Sequence, residues 1–137
     1  MWYKHVGRNQ SLYRLYKEIP NSLKNVRIEN ITIWDEGNRI KFIFDMPRYV
    51  DFPSERWHGD YNALAVEIDF TSIAKLQIST ISNTYRGDIS INKNSEGLLE
   101  VNVVGNLTIH FIADTAIIQC FHPYLYGGDS DSKKYFY

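Results

Sequence analysis

FIFDMPRYVDFPSERWHGDYN, residues 42 to 62, is the stretch on which the fold reading turns. It opens as a strand, with Phe42, Phe44 and Met46 on one face and Ile43 and Asp45 on the other, the period of two that extended backbone imposes. Pro47 and Pro53 then bracket a connection that is neither helix nor inner strand, because each lacks an N–H donor and restricts the residue before it. Into that connection the sequence sets Tyr49, Phe52, Trp57 and Tyr61 among Arg48, Asp51, Glu55, Arg56, His58 and Asp60. A long loop with this much aromatic surface is expected to be held on a core, with Phe52 and Trp57 as its structural anchors.

Upstream, Leu12, Leu15, Tyr16 and Ile19 recur at helical spacing, which predicts a short helix over about 9–19, capped by Asn9 or Ser11 and stopped by Pro20. With barely three turns it needs an apolar surface to lie on. Val26 and Ile28 share one strand phase and Ile31 and Ile33 the other, so a bulge is expected near Glu29-Asn30. Asp35-Glu36-Gly37-Asn38 reads as a turn into the strand carrying Ile40, Phe42, Phe44 and Met46.

Downstream, Leu64, Val66, Ile68 and Phe70 alternate with polar residues. A tight link at Thr71-Ser72 leads to Ala74, Leu76 and Ile78. Short strands follow through Ile89 and Ile91, through Leu99, Val101 and Val103, and through Leu107, Ile109 and Phe111, with Gly105-Asn106 read as a two-residue hairpin loop. A last long strand runs from Ala116 to about Tyr126. About eight short strands with short turns predict a mainly β protein, an antiparallel meander forming a sandwich or open barrel with one N-terminal helix. The domain is expected over 1–126, with 127–137 a polar C-terminal tail.

At 137 residues with 44% hydrophobic content, the chain suits one packed domain. Fifteen basic against sixteen acidic residues leave a formal charge of -1, so nucleic acid and anionic membrane are not expected partners. No apolar run reaches the roughly 20 residues of a membrane span. The N-terminus lacks the pattern of a signal peptide, which points to a cytoplasmic location. One cysteine, Cys120, allows no internal disulfide.

Chemistry-bearing patterns are sparse. His5, His58, His110 and His122 form no HExxH or similar pair. Cys120 and His122, two apart on a strand, share a face, but a strand interior seldom gives substrate access, and a small buried thiol is the expectation. Glu67 and Asp69 share a face about 7 Å apart and read as a hydrated surface opposite Lys41 and Arg39. No phosphate-binding glycine loop is present. No catalytic residue, metal ligand or cofactor is therefore assigned. The candidate partner-binding residues are Asp35, Glu36, Tyr49, Asp51, Glu55 and Asp60, since aromatic groups beside displayed charge are common binding anchors. A stacking site for a small ligand such as carbohydrate, built from Trp57, Tyr61 and Tyr85, is the competing reading, and a hydrolase using carboxylates within the barrel is a third.

The pattern as a whole resembles the Immunity protein 50 family of bacterial polymorphic toxin systems. The resemblance rests on Asn9 opening a short helix, on Leu23, Val26 and Ile28, and on the turn with Asp35 and Gly37. It continues through Ile40, Phe42 and Phe44, the proline-containing connection ending in Trp57, and the strand of Val66, Ile68 and Phe70 after Asn62. Phe52-Pro53 and Arg56-Trp57 stand where the family usually has paired prolines and a lysine before the tryptophan. The resemblance implies a small all-β protein that binds a cognate toxin domain and neutralises it as a stoichiometric inhibitor, without catalysis. Homodimerisation through an exposed edge strand stays open.

Overall fold

The computed structural model describes residues 1–127 and 134–135. Its longest strand, β1 (Leu23–Trp34), organises the rest. After it come β2 (Arg39–Asp45), β3 (Ala63–Thr71), β4 (Ala74–Thr80), β5 (Arg86–Lys93), β6 (Leu99–Gly105), β7 (Leu107–Ala113), β8 (Thr115–Leu125) and the two-residue β9 (Lys134–Tyr135). All belong to one sheet in the order β4-β7-β6-β5-β1-β2-β3-β8-β9, antiparallel throughout and not closed into a barrel.

β1 is shared end to end between two partners. Leu23, Val26 and Arg27 pair with β5, whereas Ile28 to Trp34 pair with β2. The register slips between Ile28 and Asn30, where the change of apolar phase predicted a bulge. A second slip, between Leu23 and Val26, holds Asn25 at a φ of 49°. Bulges sharpen bend and twist, so the sheet folds over itself along β1. Phe42 and Phe70 on one layer meet Phe111 on the other, edge to face, with ring centroids 5.7 and 5.1 Å apart. Around them Ile40, Phe44, Val66, Ile68, Val101, Val103 and Ile109 are all buried.

The fold class is the expected one. Within it, β1-β2-β3 and β5-β6-β7 are true meanders, while β4 and β8 each cross to the far side of the other meander. Two local expectations fail. The β6–β7 pairing ends at Val103 opposite Ile109, so Gly105-Asn106 is not a two-residue hairpin loop. Gly105 instead pairs with Gly87, the Asn106 N–H donates to the Arg86 carbonyl at 2.9 Å, and Leu107 and Thr108 pair with β4. The helix, α1 (Gln10–Leu15), is six residues and not eleven. Tyr16 is already extended, and Asn9 gives no side-chain cap, its amide donating to the Tyr3 carbonyl instead. A helix this short follows its tertiary contacts: Leu12 and Leu15 bury from the helix, and Tyr16 buries from the extended chain after it.

The N-terminal residues line the outer edge of β8 near its start, where Gly7 makes a parallel bridge with Ile117. Trp2 packs on Phe44 and donates its indole N–H to the Pro20 carbonyl at 2.9 Å. The predicted tail falls outside the described residues, except for Gly127 and for β9, which pairs with the end of β8.

Candidate functional site: the loop–helix groove and the outer face of the sheet

The connection from Pro47 to Asn62 is pinned at both ends. At its start the Leu15 carbonyl, left without a helical partner at the end of α1, accepts the N–H groups of Asp51 and Phe52 at 2.9 and 3.0 Å. Arg48 stacks over the Tyr16 ring at 4.9 Å, donates to the Glu18 carbonyl at 2.7 Å and pairs with Asp51 at 3.1 Å, while the Tyr16 hydroxyl donates to the Arg48 carbonyl. At its end Asn62 exchanges hydrogen bonds with Tyr124 and Tyr126. Backbone held in this way presents its side chains in one arrangement.

The two predicted anchors separate. Trp57 is half-buried and packs on the main core. Phe52 does not anchor: it is 53% exposed, because the paired bonds to Leu15 hold its backbone with the ring turned outward. Together with Pro53, Arg56, Trp57, Leu15 and Phe121 it lines an open groove of about 630 Å³ between α1 and the loop.

The predicted partner-binding residues also divide. Glu55 and Asp60 are exposed on the loop. Tyr49 is half-buried against the core. Asp51 is exposed but occupied, accepting the Lys17 N–H and the Arg48 guanidinium, and these two bonds hold its carboxyl below the usual range. Asp35 and Glu36 lie at the opposite end of β2, about 20 Å away at roughly 3.3 Å per strand residue. There they adopt positive φ in the β1–β2 turn, with Asp35 facing Arg39 at 3.9 Å. The two acidic groups are therefore not one patch. The aromatic platforms proposed for a small ligand do not converge either: Trp57 borders the loop–helix groove, and Tyr85 borders a separate one with Arg27, Glu29 and Arg86.

The outer face of β3 and β8 holds an arrangement that spacing alone could not reveal. The register slips at Glu67/Ile68, opposite Cys120 and Ile118, so Gln119 is an extra residue and Cys120 stands beside Glu67. The Nε2 atom of His122 lies 3.0 Å from Glu67 Oε1 and 3.3 Å from Cys120 Sγ. His122 is 4% exposed, whereas Cys120 is exposed, against the expectation of a buried thiol. The bulge is the reason, since it turns both Gln119 and Cys120 outward between inward-facing Ile118 and Phe121. Partial burial of the sulfur, and then the adjacent Glu67 carboxylate, push the thiol up to about 11, so it is neutral at ordinary pH and no ready nucleophile. Both Cys120 and Glu67 approach the same nitrogen of His122, which also differs from a nucleophile–base–acid relay, where the acid orients the ring through the other nitrogen. Cys120 and His122 were visible as a pair in the sequence; Glu67, 53 residues away from Cys120, needed the strand pairing.

Comparison with curated proteins and with solved structures finds no significant match. The profile of one family, Immunity protein 50, matches residues 9–124, from the residue before α1 to the buried Tyr124 on β8. That span takes in both meanders, the pinned loop and the outer face, and the chain accordingly belongs to the Immunity protein 50 family.

Proposed function

We propose that the protein is a stoichiometric inhibitor that binds a cognate bacterial toxin inside the cell and blocks it through the face formed by α1 and the 47–62 loop. The observation that carries this reading is Phe52, an aromatic ring 53% exposed on backbone that is fixed by hydrogen bonds. A preorganised aromatic group on an open groove loses little freedom on binding and is the kind of residue that dominates interface energies. Pro53 and Trp57 extend the apolar patch, and Arg56, Glu55 and Asp60 supply a charged rim. With a net charge of -1 the whole molecule offers little long-range steering, so affinity rests on the apolar centre and specificity on the rim. Asp35 and Glu36 belong to the opposite end of the molecule and would contact only a partner that spans it.

Co-expression with a toxin-domain gene encoded next to this one in its genome tests the reading. Phe52→Ala should leave the fold intact and weaken the complex by at least 1–2 kcal/mol, on the order of tenfold or more in Kd. The double charge reversal Glu55→Lys/Asp60→Lys should weaken it further and reduce rescue of growth. Unchanged rescue and unchanged co-purification in both variants, with wild-type circular dichroism, would remove this face from the mechanism. Sizing of the free protein in the same series reports whether two copies pair through the open edge of β4.

A further inference from the structure

We propose that Glu67, Cys120 and His122 form a zinc-binding site on the outer face of the sheet, argued from different observations than the toxin-binding reading although Cys120 also lines the loop–helix groove. Three different donors, one carboxylate oxygen, one sulfur and one ring nitrogen, converge so that all lie within 4.8 Å of one another. The same three groups also form a hydrogen-bonded cluster, in which the Cys120 thiol bonds the Glu67 carboxylate as well. What favours an ion is the closeness of unlike donors: Nε2 of His122 stands 3.0 Å from Glu67 and 3.3 Å from Cys120.

Convergence on one point is what a metal ion requires. Zinc bonds of about 2.0–2.3 Å in tetrahedral geometry put neighbouring donors roughly 3.3–3.6 Å apart. The two separations from His122 Nε2 therefore need to open by only a few tenths of an ångström, and the Glu67 oxygen and Cys120 sulfur lie within 4.8 Å of each other. The support is stiff, because the three residues sit on paired strands at the bulge that sets Cys120 beside Glu67. The floor is apolar: Ile43 is the cross-strand partner of Glu67, and fully buried Ala65 is that of His122. Lys41 and Asp69 are charged neighbours beside this floor.

Thiolate with imidazole and a single carboxylate suits a borderline ion such as Zn²⁺, and not Mg²⁺ or Ca²⁺, which take oxygen ligands. On binding, the Cys120 S–H bond breaks, the sulfur bonds the metal and the proton leaves to solvent. Because Cys120 is exposed, the fourth position opens outward, to water or to a donor from another molecule.

The test uses the full-length chain, stripped with a chelator and titrated with Co²⁺ and then with Zn²⁺. Saturation at one equivalent per chain, with a thiolate-to-cobalt charge-transfer band that Zn²⁺ abolishes, is the expected result. Cys120→Ser should lose that band. Glu67→Gln should weaken Zn²⁺ binding by at least the roughly 10- to 100-fold that even an outer-shell change brings. Both positions are on the accessible side of the cluster, so circular dichroism should show both variants folded, whereas buried His122 is left intact. Absence of the charge-transfer band, or equal Zn²⁺ affinity in wild type, Cys120→Ser and Glu67→Gln, would overturn the assignment.

Discussion

Asp45 shows what one residue on a half-covered sheet face contributes. It points to the outer side of β2, opposite Ala65, which offers it no polar partner across the strand. Burial pushes its carboxyl from the ordinary 3.8 up to about 6, against the opposing effects of the Tyr124 hydroxyl hydrogen bond and of Arg27. A pKa raised by folding means that the native state holds the proton more tightly than the unfolded chain. This group's stabilisation is thus complete below 3.8 and is lost as the pH rises towards 6. A shift of this size corresponds to on the order of 2–3 kcal/mol. Asp45→Asn keeps an acceptor for Tyr124 without the charge, so it should be more stable than wild type at neutral pH, with the difference vanishing at low pH. Urea denaturation of both proteins at several pH values between those limits measures it; a difference that does not change with pH would contradict the assignment. Alternation alone placed Asp45 opposite Phe44 in facing. It could not tell how far that outer face is covered, because burial depends on what lies over it.

At the scale of elements, the close pairing of Gly87 and Gly105 accounts for the route of the chain between β5, β6 and β7. A Cβ on Gly105 would strike the Arg86 carbonyl oxygen and come within 2.6 Å of the Gly87 Cα, and one on Gly87 would lie 2.7 Å from a Val103 methyl. The obstacles to Gly105 are backbone, which cannot swing aside. Gly105→Ala should therefore cost about 1–3 kcal/mol, at the scale of an overpacked site, and should disturb the bond from Asn106 to Arg86. Chemical denaturation gives the cost, and hydrogen exchange at Asn106 reports the bond. The sequence reading put a tight turn at these residues, since glycine followed by asparagine is a hairpin signal. The alternative use of glycine, for close approach of a third strand, becomes visible only when β5 is in place. The bulge near Asn30 was legible because it reverses the apolar phase within one strand. The early end of α1 was not, because Tyr16 and Ile19 keep helical spacing although Tyr16 is already extended and both lie beyond the helix.

Across the whole molecule, one core joins the two layers, and Phe111 sits at their meeting point with no exposed surface. Phe111→Ala should cost about 3–5 kcal/mol, the usual loss for a large aromatic in a sealed core. Because the layers share that core and β1 runs through both, wild-type unfolding followed by tryptophan fluorescence and by circular dichroism should coincide in one transition. Separate transitions would show that the layers fold apart. Local alternation, the prolines at 47 and 53 and the turn residues together determined that this chain makes antiparallel strands, roughly where each lies, and that residues 47–62 form a connection between two of them. Those features depend on residue types within a few positions along the chain. The crossing of β4 and β8, the outward turn of Phe52 and the meeting of Glu67 with Cys120 and His122 were decided only by tertiary structure. Each depends on which distant strand or helix end supplies the partner, and a periodic pattern of apolar residues is compatible with many such partners.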